Sequence, residues 1–138
     1  MKQITQRSDC PISFTLDILG DKWSLLILRD IIFAQKSSYG AFLQSPEGIA
    51  TNILADRLSM LESQGIISKT ASTINKSKFI YCLTEKGIDL LPLIMELAAW
   101  GAKYSPAGGN KELLKALKKD RKGTIKEFAK MLKKRVVE

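Results

Sequence analysis

Histidine is absent from the 138 residues, and cysteine occurs twice, at Cys10 and Cys82. Without histidine there is no imidazole base to activate a thiol, and two thiols alone do not supply a multi-ligand zinc site. Two cysteines do not form a disulfide framework either. No CxxC pair and no glycine-rich phosphate loop is present, so thiol redox enzymes and nucleotide-binding enzymes lack their signatures. The expectation is a protein with no metal, no cofactor and no catalytic activity. No apolar run is long enough to span a bilayer, and the opening MKQITQRSD lacks a signal-peptide core. A cytoplasmic protein without a membrane partner follows as the default. Internal repeats and low-complexity tracts are missing as well.

A hydrophobic fraction of 45% and a charged fraction of 26% are ordinary for a soluble chain. The length fits one domain with a real core plus an appendage. The net charge of +8 is unevenly placed: residues 111–138 hold 11 Lys/Arg against 4 Asp/Glu, whereas residues 1–110 hold 11 against 10. A basic chain suggests a polyanionic partner, but the total does not say which part meets it.

The most informative stretch is Ile49 to Ile67. Leu54, Leu58 and Leu61 recur at steps of four and three and stack along one side of a helix. Asn52, Asp56, Ser59 and Ser63 fall on the opposite side, with Ile53 and Ala55 on the flanks. An ordinary surface helix carries more Lys and Glu there, while short side chains at a helix start leave room to approach base edges. Gly65 stops the helix. A shorter helical segment, Tyr39 to Ser45, and a Pro46-Glu47-Gly48 turn precede it. Two β-like runs, Ile66 to Ser72 and Lys78 to Thr84, follow it around a polar, basic tip, Asn75 to Lys78. Helix, turn, helix and a two-stranded ribbon is the order of a winged helix-turn-helix, which places its second helix in the major groove. The fold class expected is mainly α with a small β-ribbon.

Upstream, Cys10-Pro11 marks a helix start that runs to Leu19 and ends at Gly20. Asp21 caps a second helix, Lys22 to about Ala34, in which Trp23, Leu26, Ile27, Ile31 and Ile32 are spaced for burial on more than one side. Downstream, Thr84 caps a long helix, Glu85 to about Tyr104, that Pro92 must kink or break. Its apolar surface (Leu93, Ile94, Leu97, Ala98, Trp100) is broader than one docking contact needs, and an uncovered strip of that kind indicates a partner subunit. The division expected is 1–104 for the DNA-binding and dimerisation domain, 105–109 for a linker and 110–138 for a basic helical extension. Asn110 caps a short helix in that extension. Lys122-Gly123 interrupts, and Thr124 with Glu127 makes a capping box for a last helix.

Cys10-Pro11, the run Leu19-Gly20-Asp21-Lys22-Trp23-Ser24 through Leu28-Arg29-Asp30, the segment Leu54 to Ile67, and Tyr81-Cys82-Leu83-Thr84-Glu85-Lys86-Gly87 together resemble HxlR-type transcriptional regulators of MarR-like architecture. The resemblance runs in order over about residues 8–104. It implies a cytoplasmic homodimer with one winged helix per subunit, N-terminal and C-terminal dimerisation helices, and a palindromic operator in double-stranded DNA. Ile12, Leu93, Leu97 and Trp100 are then the interface candidates. It also implies a signal input, an oxidant, an electrophile or another small-molecule effector, and carries a redox-sensor role onto Cys10. The bland alternative for Cys10 is a buried cap residue. Two positions depart from the family's habit: Ala50 stands where Ser is common, so the helix cap must come from elsewhere, with Thr51 a candidate, and Ser38 stands where a basic residue is common.

For DNA contact the candidates are Ser38, Tyr39, Thr51, Asn52, Ala55, Ser59, Lys76 and Lys78. Asn52 can pair bidentately with adenine, the Thr51 hydroxyl can reach a base or a phosphate, and Ala55 can meet a thymine methyl. Ser38 and Tyr39 carry hydroxyls suited to backbone phosphate, and the two wing lysines suit phosphate or the minor groove. Asp56 is awkward near phosphate and is expected to point at Arg57. Arg29 and Asp30 are expected to hold structure together. Two other classes compete with this reading: a winged helix used for protein–protein contact, favoured by the few positive charges on the recognition face, and a thiol-dependent enzyme.

Overall fold

The computed structural model describes residues 4–136. Pro11 opens α1 (Pro11–Leu19) at the first helical position, where its missing N–H costs no hydrogen bond. The Asp21 carboxylate accepts from the N–H groups of Trp23 and Ser24 and so starts α2 (Lys22–Phe33). Ile27, Leu28, Ile31 and Ile32 of α2 are buried, which makes this helix the spine of the core. The helix-turn-helix follows as α3 (Tyr39–Leu43) and α4 (Thr51–Ser63). Leu54, Leu58 and Leu61 form the buried ridge of α4, each contributing about 1.5–3 kcal/mol by leaving water. Gly65, at φ 73°, ends this segment in the left-handed region.

The wing is an antiparallel pair, β1 (Ile67–Ala71) and β2 (Phe79–Leu83), in register from Ile67 opposite Leu83 to Ala71 opposite Phe79. The Tyr81 N–H donates to the Ser37 carbonyl at 2.8 Å, which ties the root of the wing to the segment entering α3. Tyr81 also meets Phe42 of α3 edge-on, with ring centroids 6.1 Å apart.

Several boundaries differ from the sequence reading. The first helix of the motif stops at Leu43 rather than Ser45, and both strands are shorter at each end than their β-like runs. Ala50 is the N-cap of α4 with no side-chain hydrogen bond, and Thr51 is the first helical residue rather than the cap. The long helix after the wing is two: α5 (Glu85–Ile88), capped by Thr84, and α6 (Leu91–Tyr104), with Pro92 in its first turn. The proline therefore breaks the helix rather than bending it. Gly87 of α5 packs so closely on the residue preceding β1 that a Cβ there would meet the Ile66 carbonyl oxygen at 2.2 Å, which restricts this position to glycine.

Asn110 caps α7 (Lys111–Lys119) by accepting from the Leu113 N–H at 3.1 Å. The expected capping box at Thr124 does not form. Helix α8 (Arg121–Val136) starts earlier, with the Asp120 carboxylate accepting from the Gly123 N–H at 3.0 Å, while the Thr124 hydroxyl donates to the Ala116 and Asp120 carbonyls. With Asp120 satisfying the Gly123 N–H, α8 runs through Gly123 and places Thr124 inside the helix. Leu117 and Leu132 belong to the same buried cluster as α2, and α8 lies against β2, α5 and α6. Phe128 packs edge-on against Phe33 at 5.6 Å.

Candidate nucleic-acid interface

Helix α4 is held at its start and at its middle. At its start, the Tyr39 hydroxyl donates to the Thr51 carbonyl at 2.9 Å, so α3 braces the first turn that lacks a side-chain cap. Further along, Arg57 pairs with Asp21 at 3.0 Å and with Asp56, tying α4 to the cap of α2. Burial alone raises the Asp21 carboxyl, but hydrogen bonds from Ser24 and Arg57 outweigh it and leave it below the usual carboxylate range. Asp56 thus faces a guanidinium, as the sequence reading favoured, and its charge is masked rather than turned on a polyanion.

The turn between α3 and α4 is fixed by a second set of ions. Arg29 donates to Asp30 at 2.8 Å and forks onto both carboxylate oxygens of Glu47. This bond to Arg29 holds Glu47 down at about 2, well below its ordinary 4.5. Asp30 is buried, and it also accepts from the Ser45 hydroxyl and lies 3.6 Å from Lys36. Arg29 and Asp30 therefore hold structure together, and the buried charge is fully partnered.

Thr51, Asn52, Ala55 and Ser59 are all exposed along the outer side of α4, opposite the leucine ridge. Ser38 is the N-cap of α3, its oxygen accepting from the Ala41 N–H at 3.2 Å, which leaves its hydroxyl proton available. The Tyr39 proton is directed at protein instead. Lys76 and Lys78 are exposed at the wing tip. That tip is ordered by short local bonds: Ser72 Oγ accepts from the N–H groups of Ile74 and Asn75, and Asn75 Oδ1 accepts from the Ser77 hydroxyl at 2.7 Å. A cleft of about 380 Å³ lies between Ser38–Gly40 and Ser77–Phe79, so the start of α3 and Lys78 border one space.

Sequence reasoning missed Ile74, which is 96% exposed at the wing tip, and Lys69, whose Nζ sits 4.1 Å from the centre of the Phe79 ring. An isoleucine between turn residues was the available signal for the first. The interface candidates Ile12, Leu93, Leu97 and Trp100 are exposed on α1 and α6, together with Phe14, Leu16 and Tyr104, which were not singled out. Cys10 is the exposed N-cap of α1 and makes no side-chain cap bond, so the buried-cap alternative does not hold. Cys82 is half-buried on β2, its Sγ 3.7 Å from the Arg135 carbonyl oxygen. Among the described residues no group of three His, Cys, Asp or Glu could hold a metal ion, and no helix is long and apolar enough to cross a membrane.

This geometry matches known proteins. The HxlR-like helix-turn-helix family model fits residues 18–108. The HTH-type transcriptional regulator YdeP of Bacillus subtilis is 35% identical over 95 residues, which are 69% of this chain and 73% of that protein. Among solved structures, PA1607, described as a transcription factor, is 38% identical with a TM-score of 0.66 over 72% of this chain and 68% of its own. The redox regulator HypR in its reduced form is 27% identical with a TM-score of 0.62, covering 71% of this chain and 96% of its own. Fold, motif order and relatives agree: the chain belongs to the HxlR-like helix-turn-helix family of DNA-binding transcriptional regulators, not to an enzyme family.

Proposed function

We propose that the protein acts as a homodimer that reads a palindromic operator in double-stranded DNA through α4 and adjusts that binding to a chemical signal. The observation that carries this is the outer face of α4: Thr51, Asn52, Ala55 and Ser59 are exposed, short and uncharged on a helix whose opposite ridge is buried. Such a face fits into a major groove without displacing long side chains, and Asn52 supplies a bidentate partner for adenine. Ser38, Lys76 and Lys78 contact phosphates on either side of the groove, and Tyr39 positions the start of α4. Exposed Ile12, Leu93, Leu97 and Trp100 supply the dimer contact that sets two α4 helices on one face of the duplex.

The signal enters at Cys10, an exposed thiol on the helix that supplies Ile12 to that contact. The relative HypR is described as a redox regulator, which supports an oxidant or electrophile as the input. Selection of bound sequences from a random duplex pool tests the readout, with a two-fold symmetric consensus expected. Diamide treatment of wild type and Cys10→Ser tests the input, with the DNA-binding response lost in the variant. Recovery of no sequence preference at low salt would favour a protein–protein module instead.

A further inference from the structure

We propose that the outward face of α8 is a second DNA-backbone surface that grips phosphates flanking the half-site read by α4. This rests on the DNA-binding reading above and adds a contact outside the matched residues 18–108.

Three observations meet here. The first is charge placement, since residues 111–138 carry 11 Lys/Arg against 4 Asp/Glu while the remainder is almost balanced. Among the described residues, Arg121 is the one cation of this extension in an ion pair, with Glu96 of α6.

The second is the seating of α8. Ile125, Phe128 and Leu132 turn into the protein, which leaves Lys126, Lys130, Lys133 and Lys134 exposed on a single stripe at steps of four, three and one. From first to last the stripe spans about 12 Å at 1.5 Å per residue. At about 3.4 Å of axis per phosphate on one strand, it faces on the order of three to four phosphates.

The third is location. The last turns of α8 are fastened to the end of α2 and to β2 of the wing. Gln35 Nε2 donates to Met131 Sδ at 3.3 Å, Cys82 Sγ to the Arg135 carbonyl at 3.7 Å, and the Arg135 guanidinium to the Ile31 carbonyl at 3.3 Å. Cys82 adjoins Tyr81, whose N–H is bonded to Ser37, the neighbour of the phosphate-facing Ser38. The lysine stripe is therefore carried on a helix fixed to the end of α2 and to β2, the strand whose Tyr81 is bonded to the segment entering α3. A freely solvated tail would need neither the buried leucine nor these fastenings.

The experiment compares wild type with the quadruple variant Lys126→Gln, Lys130→Gln, Lys133→Gln and Lys134→Gln, in which the buried side of α8 is untouched. Both are titrated with the selected operator duplex, trimmed to its symmetric core or extended by about one helical turn on each side. Wild type should gain affinity with the extension, and the variant should gain little. The slope of log affinity against log salt should fall by about 0.9 for each phosphate contact removed. The preferred sequence and the melting temperature should stay unchanged.

Equal salt slopes and equal length dependence in the two proteins would overturn this proposal while leaving operator reading by α4 intact. A wild type that binds no duplex at all would overturn both. Binding of wild type but not the variant to phosphatidylglycerol vesicles, with DNA affinity the same in both, would also overturn it in favour of a membrane-surface role.

Discussion

Helices α4 and α8 are built on opposite plans. Helix α4 exposes Thr51, Asn52, Ala55 and Ser59, pairs Arg57 with Asp56 and Asp21, and carries Glu62 as its other charge, so its outer face holds no cation. Helix α8 exposes a run of lysines and holds itself down with Phe128 and Leu132. Short neutral side chains let a helix enter a groove and distinguish bases, while ammonium groups attract any phosphate and distinguish nothing. If the proposed division holds, with reading on α4 and attraction on α8, sequence choice and overall attraction can be altered independently.

The largest effect expected removes one copy of both helices from the duplex at once. Leu97→Asp places a charge on the exposed apolar strip of α6 and should shift the protein toward monomer in sedimentation. With one half-site left, about 2–5 kcal/mol of specific binding energy should disappear, half of the roughly 4–10 that complexes of this class have. A wild-type monomer at micromolar concentration would remove the basis for the comparison. Next comes a test of whether α8 is as much part of the fold as α4. Leu54→Ala and Leu132→Ala should each cost about 2–5 kcal/mol in chemical unfolding, in a single transition, because both leucines are buried in one cluster. A negligible cost for Leu132→Ala would make the extension an accessory.

A smaller effect sharpens the contrast within the DNA-binding face. Asn52→Ala should lose about 1–3 kcal/mol at one or two operator positions and relax preference there. Lys76→Ala should weaken binding to every sequence alike and flatten the salt dependence. The same pattern from both variants would erase the division between reading and attraction. The smallest effect concerns how α4 is aimed. Glu47 is held at about 2 by Arg29, below its ordinary 4.5, so its contribution to stability is complete above 4.5 and lost as pH falls toward 2. Glu47→Gln should flatten acid unfolding in that window by under about 1 kcal/mol, since the pair is partly open to solvent. An unchanged acid profile would mean that the turn is fixed without this pair.

Much of the fold could be read from local signals, and the failures share a cause. Pro11, Asp21, Gly65 and Asn110 act within four residues of themselves, and each does what its chemistry dictates. Thr124 misled because α8 starts one turn earlier, where Asp120 accepts from the Gly123 N–H, and Thr124 lies inside the helix with its hydroxyl donating to the Ala116 and Asp120 carbonyls. The grip of Arg29 on Glu47 crosses 18 residues and leaves no periodic trace. At the candidate site, the exposure of Asn52 and Lys76 followed from pattern alone, but the turn of the Tyr39 hydroxyl toward Thr51 depends on how α3 meets α4. The exposed Ile74 was hidden in plain view, because turn chemistry drew attention to the polar residues around it.

The bond from Arg135 to the Ile31 carbonyl joins residues 104 apart in sequence, whereas the helix-turn-helix and the wing are assembled from near neighbours. Closing a long loop costs entropy before any contact repays it, so the order of events in folding is set by this difference. The helix-turn-helix and wing are expected to form first, with the docking of α8 following. Substitutions at Phe128 or Leu132 should therefore speed unfolding while leaving the folding rate almost unchanged, and the clamp of α8 on α2 would then govern how long the native state lasts.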